Sequence, residues 1–324
     1  MRAIVIKEYG PVEGLVIQEL PEPKAGPGQV VIQVKAFGIN HAEMHMRRGE
    51  WAESMPVPGI ECVGIVKSCP GGEFAVGAKV VTLMGGLGRT INGSYAEYTV
   101  APASNVVQIE TDLSWEELAA IPETYATAWT CLFRNLELKK GQHLLIRGAT
   151  SSFGQAAVNM AVNAGVNVVA TTRSKERFAL LESLGASRVE LEGPSLSSRI
   201  ADVKKFDAVL DLVGNSTLLD SLAIVHRGGR VCQAGFLGGL APVPDFNPLL
   251  QMSSGVHFSF FGSFVFGTPE FPLNDVPLQS IVDDVAAGRY KAKPSRVFHF
   301  DEIQEAHRVM EANQANGKMV VLVP

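Results

Sequence analysis

A chain of 324 residues is too long for one ordinary hydrophobic core and suits two domains. Its 46% hydrophobic and 19% charged residues are typical of a soluble globular protein. The formal net charge of −5 argues against a nucleic-acid-binding or anionic-membrane-binding surface, because no basic stripe could offset it.

The compartment is predicted from two absences. The first residues, MRAIVIKEYG, alternate like a strand and lack the charged and apolar regions of a signal peptide. No stretch reaches the roughly 18 uninterrupted apolar residues of a membrane span. The sequence therefore predicts a cytoplasmic protein without membrane contact. None of the cysteines forms a CxxC pair, so free thiols are expected at Cys62, Cys69, Cys131 and Cys232.

The first ~120 residues are predicted to form a compact, barrel-like β-domain. Gly- and Pro-rich turns separate short strand-like runs: AIVI, QVVIQVKAFGI, GIECVGIVKS, AKVVTLM and SYAEYTV. Near residue 115 the pattern changes, because SWEELAAIP places Glu117 three residues after Ser114, which is the capping box that opens a helix.

From residue 142 onward, strands alternate with helices. The predicted strands are HLLIRG, VNVVAT, SRVEL, DAVLDLV, GRVCQAG and VHFSFFGS. Two helices, FGQAAVNMAVNAG and KERFALLESLGA, connect the first three strands. Apolar strands in this order predict a doubly wound nucleotide-binding domain with a six-stranded parallel sheet. The last ~60 residues contain a strand, a helix and a strand, too little for a domain, and are expected to complete the first domain.

The segment RGATSSFGQAAVNMA is predicted to hold a dinucleotide. The usual G-x-G-x-x-G turn brings the backbone close to a pyrophosphate and starts a helix whose N–H groups face it. Here Ala149, Ser151 and Gly154 occupy the three glycine positions. The hydroxyls of Ser151 and Ser152 are expected to bind phosphate, and Phe153 belongs to the same turn. The alternative is an ordinary turn between a strand and a helix.

The second strand of this domain points to NADPH. An NAD site places an Asp or Glu near the end of that strand, where it accepts from the ribose 2′-OH. VVATT ends without a carboxylate and is followed by Arg173, Ser174, Lys175, Glu176 and Arg177. Two arginines and a hydroxyl suit a 2′-phosphate. The alternative is a basic turn that only faces solvent.

With these residues in view, the chain resembles the medium-chain dehydrogenase/reductase superfamily, and within it the zinc-free quinone oxidoreductases, the zeta-crystallin-like group. The blocks that carry the resemblance are MRAIVIKEYG, PGQVVIQVKAFGIN, PGIECVGIV, GQHLLIRGATSSFGQAAVNMA and NGKMVVLV. The resemblance implies a GroES-like catalytic domain of residues 1–122 and 268–324. A Rossmann NADP-binding domain of residues 123–267 would interrupt it, with cofactor and substrate in the cleft between them.

The resemblance also predicts whether the protein binds a metal ion. Relatives that contain zinc carry a Cys, a His and a further Cys or Glu where this chain has Asn40, Ile60 and Glu123. Asn40 and Ile60 cannot replace a thiolate and an imidazole in a stable Zn²⁺ site, so no metal is expected. Reduction of a simple ketone would then lack its main electrostatic stabilisation, whereas a quinone or enone delocalises the charge.

The site residues follow from the resemblance and from the strand ends. Asn40 is expected to donate to the substrate carbonyl, His45 or a water to deliver the proton, and Tyr125 to line the site. Each has a structural alternative, since Asn40 could equally brace its own loop. Thr127 is expected near the cofactor. Residues after the fourth and fifth Rossmann strands are expected to flank the nicotinamide: Gly214, Asn215, Gly235, Phe236 and Leu237.

Two other functions stay open at this point. The same site would serve a 2-alkenal or enone reductase, and some relatives bind NADPH as abundant crystallin-like proteins without obvious turnover. The chain is also expected to form a homodimer, because VHFSFFGSFVFG (256–267) is an aromatic-rich strand at the expected edge of the Rossmann sheet.

Overall fold

The structure is a computed structural model that describes residues 1–324. Its fifteen strands are β1 Arg2–Ile6, β2 Leu15–Glu19, β3 Gln29–Gly38, β4 Glu61–Ser68, β5 Lys79–Leu83, β6 Tyr98–Pro102, β7 Val106–Gln108, β8 His143–Arg147, β9 Asn167–Thr172, β10 Arg188–Leu191, β11 Phe206–Asp211, β12 Val225–Gln233, β13 His257–Phe260, β14 Arg296–His299 and β15 Met319–Leu322. Its α-helices are α1 His41–Arg47, α2 Trp115–Ala119, α3 Pro122–Trp129, α4 Ser152–Asn163, α5 Phe178–Ser183, α6 Leu218–Ile224, α7 Pro248–Gln251, α8 Leu278–Ala286 and α9 Ile303–Glu311. None of these helices is long and apolar enough to cross a membrane.

The chain divides into two compact units. Unit 1 consists of Met1–Ala126 and Ser263–Pro324, and unit 2 consists of Thr127–Gly262. The two junctions lie four and five residues from the predicted ones, at 126 instead of 122 and at 262 instead of 267. All four cysteines are free thiols, and three of them are buried.

Unit 1 is built around a seven-stranded sheet with the order β14-β15-β3-β4-β5-β7, in which β6 also pairs with β3. The ten-residue strand β3 is long enough to pair with three strands, because β6 lies along its residues 29–33 and β15 along its residues 36–38, while β4 pairs with residues 31–36. Strand β15 runs antiparallel to β3, with Val320 opposite Gly38. The last strand thus completes the first domain, as the sequence predicts, and the fold is GroES-like.

A buried polar contact lies in the core of unit 1. Phe37 stacks on Tyr95 with ring centroids 4.4 Å apart, and the Tyr95 hydroxyl lies 3.2 Å from Nε2 of His307 on α9. Burial, together with the nearby Arg47 charge, lowers the pKa of His307 to about 3. The ring is therefore neutral near pH 7, which lets α9 pack its apolar face on the sheet.

Unit 2 is a doubly wound Rossmann fold whose parallel sheet has the order β10-β9-β8-β11-β12-β13. All six strands correspond to the predicted ones. The strand order reverses between β8 and β11, which are direct neighbours. Nucleotides bind outside the carboxyl ends of the strands at such a reversal. The fold therefore places the turn after β8 where a dinucleotide would lie.

A close approach of helix to turn fixes the start of α4. A Cβ atom at Gly154 would lie 2.6 Å from Ala149 Cα and 2.7 Å from the Ala149 carbonyl carbon and oxygen. These atoms belong to the backbone, so a small side-chain movement could not relieve the clash. Glycine at this position therefore lets the helix pack directly against the turn.

We expect Gly154→Ala to lower the free energy of unfolding by about 1–3 kcal/mol, the usual cost of overpacking. The expected sign is opposite to intrinsic helix propensity, which favours Ala over Gly by about 1 kcal/mol. Urea denaturation measures the change. The matched control is Gly26→Ala, where the new Cβ would meet only the Gln29 side chain, at 3.4 Å. A Gly154→Ala protein as stable as wild type would show that α4 does not need this approach.

Candidate functional site

The turn after β8 has the geometry of an anion-binding turn. Gly148 has φ +75°, a left-handed conformation that favours glycine. Ser151 is the N-cap of α4, since its Oγ accepts from Gly154 N at 3.0 Å. The same Oγ donates to the Gly148 carbonyl at 3.0 Å. The Ser151 hydroxyl hydrogen is thus engaged within the turn, and this arrangement does not favour the predicted donation from Ser151 to phosphate.

Backbone N–H groups are the better candidates for the anion. The first N–H groups of an α-helix have no acceptor inside the helix. Of these, Gly154 N is capped by Ser151, whereas Ser152 and Phe153 precede it in the same turn. Together with the helix dipole, such amides attract phosphate. The residues of this turn therefore fit the pyrophosphate of a dinucleotide.

The predicted residues of three strand ends lie together in unit 2. Gly214 has φ +97°, and a Cβ atom there would lie 2.5 Å from the Gly235 carbonyl oxygen. A Cβ at Gly148 would lie 3.0 Å from Cδ1 of Leu237. The turns after β8, β11 and β12 therefore approach one another closely at the carboxyl edge of the sheet.

Three further predicted residues have defined surroundings. The amide oxygen of Asn215 accepts from Gln233 Nε2 at 2.8 Å, which links the turn after β11 to the end of β12. The Phe236 ring lies 5.9 Å from that of Phe260, centroid to centroid. Thr127 is buried on α3. As cofactor-contacting residues, these three stay predictions.

The end of β9 carries hydroxyl and basic side chains. Thr172, its last residue, is buried, and Arg173 beyond it is exposed. Ser174 and Arg177 are half-buried, and the Ser174 amide donates to Thr172 Oγ1 at 3.3 Å. No Asp or Glu lies within the strand itself. These are the side chains that the sequence predicts for a 2′-phosphate, and their contact with it stays a prediction.

The sequence interpretation missed a buried ionic network beneath these turns. Arg147, the last residue of β8, is 0% exposed. Its Nη2 and Nε donate to the Glu192 carboxylate at 2.5 and 3.2 Å, and its Nη1 donates to Asp220 at 2.8 Å. Burial lowers the pKa of Arg147, but the hydrogen bond and charge of Glu192 outweigh it and raise the pKa. The sequence signal for this network was a charged residue, Arg147, directly after the apolar run LLI of strand β8.

In unit 1, Asn40 belongs to a buried cluster. Its Oδ1 accepts from the Lys318 ammonium at 2.6 Å, and its Nδ2 donates to Glu61 at 3.0 Å. Its backbone N–H donates to Glu43 at 2.7 Å, the capping box that starts α1. Asn40 therefore braces its own loop, the alternative that the sequence left open. The Nδ2 contact with Glu43, at 3.4 Å, is the weakest of the set.

The positions that correspond to zinc ligands do not fit a zinc ion. Ile60 has no donor atom in its side chain, and Lys318 places a positive charge 2.5 Å from Glu61 Oε1. Glu61 Oε2 accepts from the Glu123 backbone N–H at 2.8 Å. Burial raises the pKa of Glu43 to about 7, despite the opposing charge of Lys318. No group of three or more His, Cys, Asp or Glu side chains is arranged to hold a metal ion.

The other two predicted catalytic residues differ in their surroundings. His45 lies on α1, where its Nδ1 contacts the Glu50 carboxylate and its ring stacks on Trp51 at 5.6 Å. Tyr125 is 2% exposed and stacks on Tyr290 with ring centroids 5.7 Å apart. Burial raises the pKa of Tyr125, so its phenol stays protonated near neutral pH.

Comparisons with known proteins agree with this geometry. Residues 26–111 match the alcohol dehydrogenase GroES-like domain, and residues 184–321 match the zinc-binding dehydrogenase domain. The quinone oxidoreductase of Pongo abelii is 28% identical over 338 residues, which cover 100% of this chain and 98% of that protein.

Solved structures extend the likeness to the whole fold. The quinone oxidoreductase of Pseudomonas syringae pv. Tomato DC3000 is 25% identical with a TM-score of 0.88, and 99% of each chain is covered. A mycobacterial protein complexed with NADPH is also 25% identical, with a TM-score of 0.86 and 99% of each chain covered. The chain belongs to the medium-chain dehydrogenase/reductase superfamily, in the quinone oxidoreductase group of its NAD(P)-dependent oxidoreductases.

Proposed function

We propose that this protein uses NADPH to reduce a quinone or another conjugated carbonyl compound, without a metal ion. The observation that carries the proposal is the turn after β8, with the basic residues that follow β9 beside it. The relatives support it, because one is named a quinone oxidoreductase and another is complexed with NADPH.

The preference for NADPH follows from the carboxylates of unit 2. An NAD site needs a free carboxylate near the end of the second Rossmann strand. The carboxylate that contacts β9 here is Glu192, which accepts from Thr171 Oγ1 at 2.5 Å. Because Glu192 also forms the ion pair with Arg147, it is engaged away from a ribose hydroxyl. Arg173 and Arg177, in the turn that follows β9, suit a 2′-phosphate at the adenosine end.

The preference for a conjugated acceptor follows from the donor set around Asn40. A hydride acceptor develops negative charge on oxygen, which a zinc ion would stabilise by several kcal/mol. Asn40 and Ile60 are not zinc ligands, and the Lys318 ammonium contacts Asn40 directly. A quinone or enone spreads the charge over its own π system and needs less help. When bound, the reduced nicotinamide would supply the hydride.

The side chains of unit 1 would then bind and protonate the acceptor. The buried Tyr125 phenol holds its proton and can donate a hydrogen bond. Glu50 at Nδ1 orients the His45 ring, which, directly or through a water, would deliver the proton. Asn40 Nδ2 could reach a carbonyl oxygen by giving up its 3.4 Å contact with Glu43 while keeping the one with Glu61.

Substrate assays test the reaction class. We expect NADPH oxidation with 9,10-phenanthrenequinone or with a 2-alkenal, and no oxidation of a primary alcohol with NADP⁺. Prolonged EDTA treatment should leave the rate unchanged. The ratio of kcat/KM for the quinone and the alkenal decides between a quinone reductase and an enone reductase. NADPH binding without turnover on either substrate would contradict an enzymatic role, and activity that zinc restores after EDTA would contradict a metal-free one.

The basic turn should set cofactor preference. A charge pair at ~4 Å is worth about 4 kcal/mol at an effective dielectric near 20. Solvent and side-chain ordering reduce this to roughly 1–3 kcal/mol, a preference for NADPH on the order of 10- to 100-fold. We expect Arg173→Ala with Arg177→Ala to raise KM for NADPH and leave KM for NADH nearly unchanged. The control is Arg227→Ala, an exposed arginine of β12. Equal loss for both cofactors would show that this turn does not read the 2′-phosphate.

We also propose a homodimer through the edge of the Rossmann sheet. β13 is the edge strand, and its Phe258 and Phe260 are 39% and 50% exposed. Pairing of this strand with its copy would extend the sheet across a two-fold axis and cover both rings. Light scattering at micromolar concentration should give twice 34.7 kDa, and Phe258→Glu should shift the mass toward the monomer. A monomeric wild type would refute the proposal.

A further inference from the structure

Arg147 reaches the turn after β8 through two side chains. Its guanidinium donates twice to Glu192, and Glu192 Oε2 accepts from Thr171 Oγ1 at 2.5 Å. Thr171 Oγ1 in turn accepts from the Gly148 N–H at 3.2 Å. Because Thr171 Oγ1 donates its hydrogen bond to the Glu192 carboxylate, a lone pair of Oγ1 faces the Gly148 N–H. The first amide of the turn is therefore held by a chain of contacts that begins at Arg147.

A second chain runs from the same guanidinium to the turn after β11. Arg147 Nη1 donates to Asp220 at 2.8 Å and to Ser221 Oγ at 3.2 Å. Ser221 Oγ donates to Asp211 at 2.6 Å, and the other Asp211 oxygen accepts from the Gly214 N–H at 2.8 Å. Gly148 and Gly214 are the two residues with positive φ that open these turns.

We propose that Arg147 is a positioning residue that sets both cofactor-binding turns at once. The inference rests on the proposed function, since it assumes that these turns hold a nicotinamide dinucleotide. Arg147 itself is fully buried and would not touch the cofactor. It acts through Thr171 and Glu192 on one side and through Ser221 and Asp211 on the other. Each arm ends on a backbone amide, so the network acts by fixing backbone position.

This role differs measurably from that of the basic turn after β9. Arg173 and Arg177 would discriminate between the cofactors, because only NADPH has a 2′-phosphate. The pyrophosphate is common to NADPH and NADH, so loss of the Arg147 network weakens both alike. The ratio of the two dissociation constants then stays at its wild-type value while both rise.

Conservative variants of the two arms test the proposal. Thr171→Val keeps the branched shape in a buried strand but breaks the chain to Gly148, whereas Thr171→Ser keeps the hydroxyl. Ser221→Ala breaks the other arm. Loss of one buried hydrogen bond predicts a rise in Kd of about three- to tenfold for both NADPH and NADH in Thr171→Val and in Ser221→Ala. Thr171→Ser should bind within about twofold of wild type, and kcat at saturating cofactor should change little.

The control is Arg188→Met on the neighbouring strand β10, which removes the ion pairs of Arg188 with Glu190 and Asp202 and touches neither turn. Its Kd values should equal those of wild type. Folded Thr171→Val and Ser221→Ala proteins that bind both cofactors like wild type would overturn the inference, even if their melting temperatures fell. A loss confined to NADPH would overturn it as well. A wild type that binds neither dinucleotide would overturn the proposed function itself, and this inference with it.

Discussion

The fully buried guanidinium of Arg147, at the end of β8, constrains the whole carboxyl edge of the Rossmann sheet. An unpaired buried charge costs several kcal/mol, so the guanidinium of Arg147 requires Glu192 and Asp220 at the same time. Those carboxylates also need their remaining lone pairs satisfied, which brings in hydroxyls and backbone amides. Strands β8, β9 and β11 and the first turn of α6 are thereby held in one arrangement.

Unit 1 handles buried charge by the same rule but with a different cation. Lys318 lies between Asn40 and Glu61, and Glu43 completes the cluster. Lysine offers three donors from a single point, which suits a compact group of oxygen acceptors. In both units an internal ion pair thus contacts the residues of a candidate site, Asn40 in unit 1 and the turn after β8 in unit 2.

Local patterns explain how much the sequence could predict. The six Rossmann strands and the capping box at Ser114 and Glu117 follow from periodicity and spacing within a few residues. Ser151 was a different case, because a hydroxyl three residues before a helical amide can cap the helix as well as bind phosphate. The structure shows the cap.

The ionic networks could not be predicted in that way. Arg147 pairs with residues 45 and 73 positions away, and Lys318 pairs with Glu61 across 257 positions. No local spacing encodes such contacts, since the sheet order alone brings them together. A charged residue at the end of an apolar strand signals that partners exist, but it does not say which ones.

The position of β15 in the sheet has a consequence for the order in which the units can form during synthesis. Unit 2 is one continuous segment, so every strand of its sheet is available for folding once residue 262 has emerged from the ribosome. Unit 1 is not continuous. The pairing of β3 with β15, and the contacts of Asn40 and Glu61 with Lys318, can form only after the last residues of the chain have been synthesised. Until then, residues 36–38 of β3 lack their partner strand and Glu61 lacks its cation. Unit 2 can therefore fold while unit 1, whose two segments precede and follow it in the sequence, is still incomplete.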